Sequence, residues 1–407
     1  MRRIRSPYTL LCKTALVLLF SHSGSIQAAT PTLRDAVEAA WAKQPESRAM
    51  YVRQEEMAAR RDAASSFFAG PPSIELSQRT DRFDQNSGDK ETEAAIAVPI
   101  WAPGTRSAAQ RLATVESTSL EVKNRAAKLN VAGEVREAYW QARFAENDYV
   151  LSVRRSKDAA ALVQDIERRF KVGDLARTDF NQAQGNERLA KANLAEAQAR
   201  LHRAQHVFRA LTGMNQLPEV PETLVATDNL PSPHPKLSFL QAAVEVQKAR
   251  LGQASADRRE PPEVTLGMRR ERPGYGAEYE SSVVLGIRIP LATQSRNAPR
   301  IAAANAELME VEAALALEQA RIQAEIDSAQ EELAQAENIA YLAQQRFQLA
   351  AETLSLHAKA FQLGELDLQS RLRSENERYE AELSLFRARL EVSRAISRVN
   401  QSLGLLP

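Results

Sequence analysis

The sequence predicts a mainly α-helical chain with a small β part: two tandem repeats whose long coiled-coil helices continue into a transmembrane β-barrel. Three observations predict it. First, Pro45 recurs as Pro235, Pro71-Pro72 as Pro261-Pro262, Pro99 as Pro290, Gly173 as Gly364 and Gly213 as Gly404, at offsets of 190 or 191 residues. Pro fixes φ and lacks a donor while Gly permits left-handed turns, so repeated punctuation marks a repeated architecture. Second, Ile322, Ile326, Ala329, Leu333, Ala336, Ala340, Ala343, Phe347, Ala350 and Leu354 alternate spacings of four and three, a heptad seam whose alanines let helices approach closely. Third, Val283, Leu285, Ile287 and Ile289 alternate with Ser282, Gly286 and Arg288, the period of a strand with one apolar and one mixed face.

Taken in order, residues 1–28 read as a signal peptide. Arg2, Arg3, Arg5 and Lys13 supply positive charge, Leu10 to Phe20 is apolar, and Ile26-Gln27-Ala28 is a cleavage site. The apolar run is shorter than the roughly 20 residues of a spanning helix. Cys12, the single cysteine, follows Leu11 and precedes most of that run, which does not fit a lipidation site. Cleavage turns the formal net charge of +1 slightly negative and leaves no cysteine for a disulfide. Near-neutral charge gives no reason to expect nucleic acid as a partner. A composition 26% charged and 6% aromatic suits long helices better than a compact aromatic core.

The first repeat, 29–216, reads as a helix from about Leu33 to Ser66, ended by Pro71-Pro72. Strands follow at Ser73 to Thr80 and Glu93 to Val98, flanking the polar loop Asp81 to Asp89, and Pro99 with Ala102-Pro103-Gly104 closes the hairpin. An uninterrupted helix from Arg106 to Val172 is 67 residues, roughly 100 Å at 1.5 Å per residue. After Gly173 a helix runs to Thr212 with its own seam at Ala190, Leu194, Ala197, Leu201, Ala204, Phe208 and Leu211. The two shorter helices together match the long one, so they are expected to stack end to end beside it. A linker, 217–235, leads to the second repeat, 236–407, with strands at Glu263 to Arg270 and Ser281 to Ile289 around a Pro273-Gly274 loop. Four strands cannot close a barrel, and open edges are not tolerated in lipid. Three copies would supply twelve strands, so a homotrimer in outer-membrane lipid is expected.

The run Arg169-Phe170-Lys171-Val172-Gly173-Asp174-Leu175-Ala176-Arg177-Thr178-Asp179 resembles the tip motif of TolC-type outer-membrane factors, and Phe361-Gln362-Leu363-Gly364-Glu365-Leu366-Asp367-Leu368 repeats it. Ala210-Leu211-Thr212-Gly213 and Ser402-Leu403-Gly404 also match. The resemblance implies a trimeric twelve-stranded barrel on a periplasmic helical tunnel, an exit duct for a tripartite efflux system. Its implied partners are a periplasmic adaptor and an inner-membrane transporter of the RND type. It assigns adaptor docking to Val172, Gly173, Asp174, Leu175, Leu363, Gly364, Glu365 and Leu366. A periplasmic gate maps to Thr178 and Asp179 and, in the second repeat, to Ser370 and Arg373, where acidic residues stand in the best-known members. An Asp179–Arg373 ion pair would hold that gate closed; the plain alternative is two solvated charges.

No nucleophile elbow, phosphate loop or CxxC is present, so neither an enzyme nor a cofactor is expected. His202 and His206 have a metal-capable spacing on one helix but no third ligand. Trp101, Phe67 and Phe68 sit where an interfacial aromatic belt belongs. A periplasmic adaptor or a structural coiled coil of the envelope are the other classes, but an adaptor carries one hairpin and more β structure, and a plain coiled coil has no use for strands. The short C-terminus and the Leu-Gly-Glu-Leu-Asp-Leu tip look like the CzcC-like heavy-metal branch. Type I protein secretion and drug efflux remain alternatives.

Overall fold

The computed structural model describes residues 31–225, 233–291 and 293–407. The expected signal peptide with Cys12, and the middle of the linker, lie outside the described residues. The single helix expected over 33–66 is two: α1 (Leu33–Lys43) and α2 (Pro45–Ser65). Pro45 starts α2 and holds Gln44 in an extended conformation, φ −67° and ψ 142°, which breaks the helix. Thr32 and Asp35 close a reciprocal capping box at the start of α1.

Next come β1 (Ser73–Thr80), β2 (Lys90–Pro99), α3 (Thr105–Lys171) and α4 (Arg177–Thr212). The second set is α5 (Pro235–Ala256), β3 (Glu263–Arg272), β4 (Glu280–Arg288), α6 (Gln294–Gln362) and α7 (Leu368–Ser402). Strand β2 starts three residues before the expected Glu93, because Lys90, Glu91 and Thr92 pair on both sides, with β1 and with β3. Strand β4 is shifted one residue toward its loop, and Ile289 falls outside it.

The long helices α3 and α6 are 67 and 69 residues. Against α3 lie α2 and α4; against α6 lie α5 and α7; and α5 also contacts α3. The shorter helices therefore flank the long ones, as their lengths require. Both seams are buried where they meet: Ala190, Ala197, Leu201 and Phe208 on α4, and Ile322, Ala329, Ala336 and Ala343 on α6. Alanine at these positions permits close helix approach.

The four strands form one antiparallel sheet in the order β1-β2-β3-β4, joined across the repeats by β2 and β3. Its edges, β1 and β4, have one partner each. The register stacks Ile74, Ile96, Leu266 and Leu285 in one rung, and Leu76, Ala94, Met268 and Val283 in the next. Ile74, Leu76, Leu285 and Val283 are each at least 70% exposed, so a continuous apolar face is uncovered. The opposite face carries Glu75, Glu93, Arg269 and Arg288 among small residues, with Ala95 and Ala97 buried. An apolar surface of this extent on a monomer marks contact with lipid or another chain. Among the described residues no helix is long and apolar enough to cross a membrane.

The largest core lies midway along the helices, where Leu33, Val37, Val135, Tyr139, Trp140 and Phe208 join α1, α3 and α4. Beside it, buried Arg136 donates to both Glu222 oxygens (3.0 and 2.7 Å), to Gln401 and to the Leu405 carbonyl. That arginine thus ties the first part of the linker and the chain end to α3.

Candidate functional site

The end of the molecule opposite the sheet is built from two helical turns of identical design. At α3–α4 the Asp174 amide donates to the Arg169 carbonyl (2.9 Å) and the Gly173 amide to that of Phe170 (3.0 Å). At α6–α7, Glu365 donates to Ala360 (2.9 Å) and Gly364 to Phe361 (3.2 Å). Both are Schellman motifs that satisfy the last carbonyls of the preceding helix. Gly173 and Gly364 have φ of 81° and 79°, with open space around a would-be Cβ, so glycine is required there by backbone conformation and not by crowding.

The eight expected docking residues divide into two kinds. Val172 and Leu363 project outward, 81% and 74% exposed, and Asp174 and Glu365 are exposed beside them. Leu175 and Leu366 instead turn inward onto a core of Leu162, Ile166, Ala183, Phe361, Leu368 and Leu372, which fuses the two turns into one tip. Arg169 braces its turn through Asp174, Nε to Oδ2 at 2.6 Å.

Sequence reasoning missed an aromatic pair beside this core. Phe170 stacks on Phe180 with centroids 5.6 Å apart and planes 1° from parallel. The equivalent positions in the second repeat are Phe361 and Arg371, and there the guanidinium lies 5.0 Å from the ring, with Arg169 4.9 Å from it. An aromatic stack in one repeat has become a cation–π contact in the other. The 191-residue offset, applied to Phe180, could have found it.

The four gate residues lie just inside the tip, at the starts of α4 and α7. The expected Asp179–Arg373 ion pair does not form within the chain. Asp179 is the third residue of α4, and its carboxylate turns back to accept from the Ala176 amide at 3.1 Å. In α7 the roles exchange: Asp367 at the N-cap accepts from the Ser370 amide at 3.3 Å. Those hydrogen bonds from Ser370, with the more distant Arg373 charge, hold the Asp367 carboxyl below its ordinary value. Thr178 is exposed, and exposed Arg373 lines a groove with Gln182, Asn186 and Glu377, Gln182 being its own repeat equivalent. The second acidic position is therefore conserved in function as a helix cap, displaced by three residues.

Above the tip, polar contacts tie α3 to α7. Arg387 donates twice to Asp148 (3.0 and 2.5 Å), which raises the pKa of the guanidinium. Arg154 meets Glu382 at 2.6 Å, Arg155 meets Asn376 at 2.8 Å, and Arg394 meets Glu137 at 3.0 Å. Burial holds Glu375 above its ordinary value, opposed by Arg371 at 3.6 Å. His202 and His206 are both exposed, and among the described residues no three His, Cys, Asp or Glu gather as a metal site. At the junction of helices and sheet, Trp101 donates to the Ser66 carbonyl (3.0 Å), beside the edge-to-face pair Phe67 and Phe68.

Residues 36–214, essentially the first repeat, match the family model described as outer membrane efflux protein. The second repeat carries the same fold in the same order. Over residues 36–214 the chain is similar to the outer membrane efflux proteins. Solved channels share its fold across nearly the whole chain. The outer membrane protein VceC from Vibrio cholerae is similar at 17% identity and a TM-score of 0.74, over 91% of this chain and 96% of that one. A membrane protein from Pseudomonas aeruginosa has 16% identity and a TM-score of 0.74, over 92% and 90%. The open state of the MtrE outer membrane channel of Neisseria gonorrhoeae has 16% identity and a TM-score of 0.71, over 92% and 89%. Among curated proteins none matches.

Proposed function

We propose that three copies of this chain join β4 of one to β1 of the next, closing a twelve-stranded barrel whose lipid face is the exposed apolar ladder. The observation that carries this reading is the pair of single-partnered strand edges flanking an uncovered apolar face. Free edges are tolerated in lipid only when closed. The helices then form a tunnel, and the six tip turns of the trimer present Val172, Gly173, Asp174, Leu363, Gly364 and Glu365 to a periplasmic adaptor, with Leu175 and Leu366 holding them in place from inside. An inner-membrane transporter of the RND type supplies the energy. The α3–α7 contacts hold the two hairpins of each protomer in the closed arrangement, and Thr178, Asp179, Ser370 and Arg373 line the constriction. Between protomers, Arg373 is free to meet an acidic residue of the neighbouring copy. The cargo is small solutes, with metal cations favoured by the resemblance of the tip to the heavy-metal branch.

Docking is tested by Val172→Asp combined with Leu363→Asp. Both side chains are exposed, so folding and single-channel conductance should be unchanged while a deletion strain carrying the variant stays sensitive to the exported solute. Full complementation by the variant would place docking elsewhere.

A further inference from the structure

The charges on the two faces of the sheet are sorted in a way the duct function does not require. On the mixed face, two of the three strand arginines are paired: Arg269 reaches Glu91 (2.8 Å) and Glu93 (3.0 Å), and Arg288 reaches Glu263 (2.8 Å), while among the described residues Arg79 is not. On the apolar face every charged strand residue is cationic: Lys90, Arg270 and Arg272. All three lie at the loop end, Arg270 one same-face step beyond Met268, and Lys90 directly opposite Arg272 in the next rung. Among the described residues none of the three has a carboxylate partner within salt-bridge distance, unlike Arg269 and Arg288 behind them. Aromatic rings pack against them: Arg270 lies 4.4 Å from the Tyr279 ring centroid, and Arg272 lies 5.1 Å from Tyr279 and 5.8 Å from Tyr275. Arg272 also donates to the Gly88 carbonyl at 3.3 Å, which fixes it against the other loop.

We propose that Lys90, Arg270 and Arg272, backed by Tyr275 and Tyr279, form a binding site for the phosphate groups of lipid headgroups in the outer leaflet. The site rests on the barrel reading, since only that reading puts this face toward lipid. The apolar rungs below the cluster meet acyl chains, and the loop end is the end away from the helices. A guanidinium offers two parallel donors to a phosphate, and a ring face orients it without neutralising its charge. A cation left unpaired at the edge of an apolar surface is stabilised by a headgroup anion, each such residue strengthening binding to an anionic surface roughly five-fold. A lipid satisfies both halves of this surface, acyl chain on the ladder and phosphate on the cations, whereas free phosphate satisfies only one.

The experiment compares the full-length channel with the variant Lys90→Gln, Arg270→Gln, which leaves the Arg272–Gly88 brace intact. Both are extracted in mild detergent, exchanged against mixtures of zwitterionic lipid and a lipid with an exposed phosphomonoester, and the retained lipid is counted by native mass spectrometry. Pore conductance of both is recorded in parallel. The expected result is preferential retention of the phosphomonoester lipid by the wild type, a loss of more than about ten-fold in that preference in the variant, rescue by Arg270→Lys, and unchanged conductance. Equal preference in both proteins, with pores intact, overturns the site. Displacement of the lipid by millimolar inorganic phosphate would assign the cluster to a free anion and also overturn it. A wild-type chain that forms no pore overturns the barrel reading, and the site with it.

Discussion

Phe361→Ala tests whether the tip is held from inside. The ring is 2% exposed and touches both hairpins, with Arg169 and Arg371 within about 5 Å of its face. Removing a fully buried phenylalanine costs about 3–5 kcal/mol including the cavity, and losing two half-solvated cation–π contacts adds about 0.5–1 kcal/mol each. The sum is about 4–7 kcal/mol. Helix ends open locally at far less than the global unfolding free energy, so a loss of this size should leave the tip open much of the time while the midpoint core survives. Amide hydrogen exchange of the reconstituted channel is the assay. Protection at Ile166 and Leu372 should fall by at least about a hundred-fold, while that at Leu129 and Val135 is unchanged. The closed channel should leak. Unchanged protection at Ile166 and Leu372 would show that these turns do not depend on a shared core.

Gly364→Ala should cost about 1–2 kcal/mol, from the left-handed conformation alone because the space is open, and Gly173→Ala the same; chemical denaturation of the tip reads this. Asp148→Asn removes the charge that Arg387 grips with two hydrogen bonds, and the single-channel open fraction should rise in planar bilayers without loss of trimer. Glu375 gives a pH dependence with a definite sign. Burial raises its folded pKa above the ordinary 4.5, with Arg371 and Arg378 opposing and Asp158 assisting, so its contribution to tip stability is fully present below pH 4.5 and lost as pH rises through the raised value. Glu375→Gln should flatten that part of the exchange profile. Asp367, lowered by Ser370, acts in the opposite sense: its contribution is present above 3.8 and lost as pH falls through the lowered value.

The repeat, the two seams and the strand alternation were legible because each is a local period, and a period reports which face of an element is buried. The break at Gln44 was legible in principle, since Pro45 restricts the residue before it, but the apolar pattern runs through it. What periodicity cannot report is which elements meet. The β2–β3 pairing joins residues about 176 apart, and Asp148 meets Arg387 across 239 residues. The tip was readable as two glycine turns, yet its inward leucines look the same in sequence as its outward valine and leucine. Only the shared core separates Leu175 from Val172. The Asp179–Arg373 pairing is absent within one chain for a local reason: a carboxylate at the third position of a helix finds its own N-cap amide before it finds a distant guanidinium.

The central claim is that this chain builds a membrane duct only in copies, because its own sheet cannot close. The most direct measurement is the mass of the detergent-extracted protein, taken together with its conductance in a planar bilayer. The account predicts three chains per particle, all extracted from the outer membrane, and a particle that carries current. A monomer that stays in solution without detergent and carries no current would contradict it.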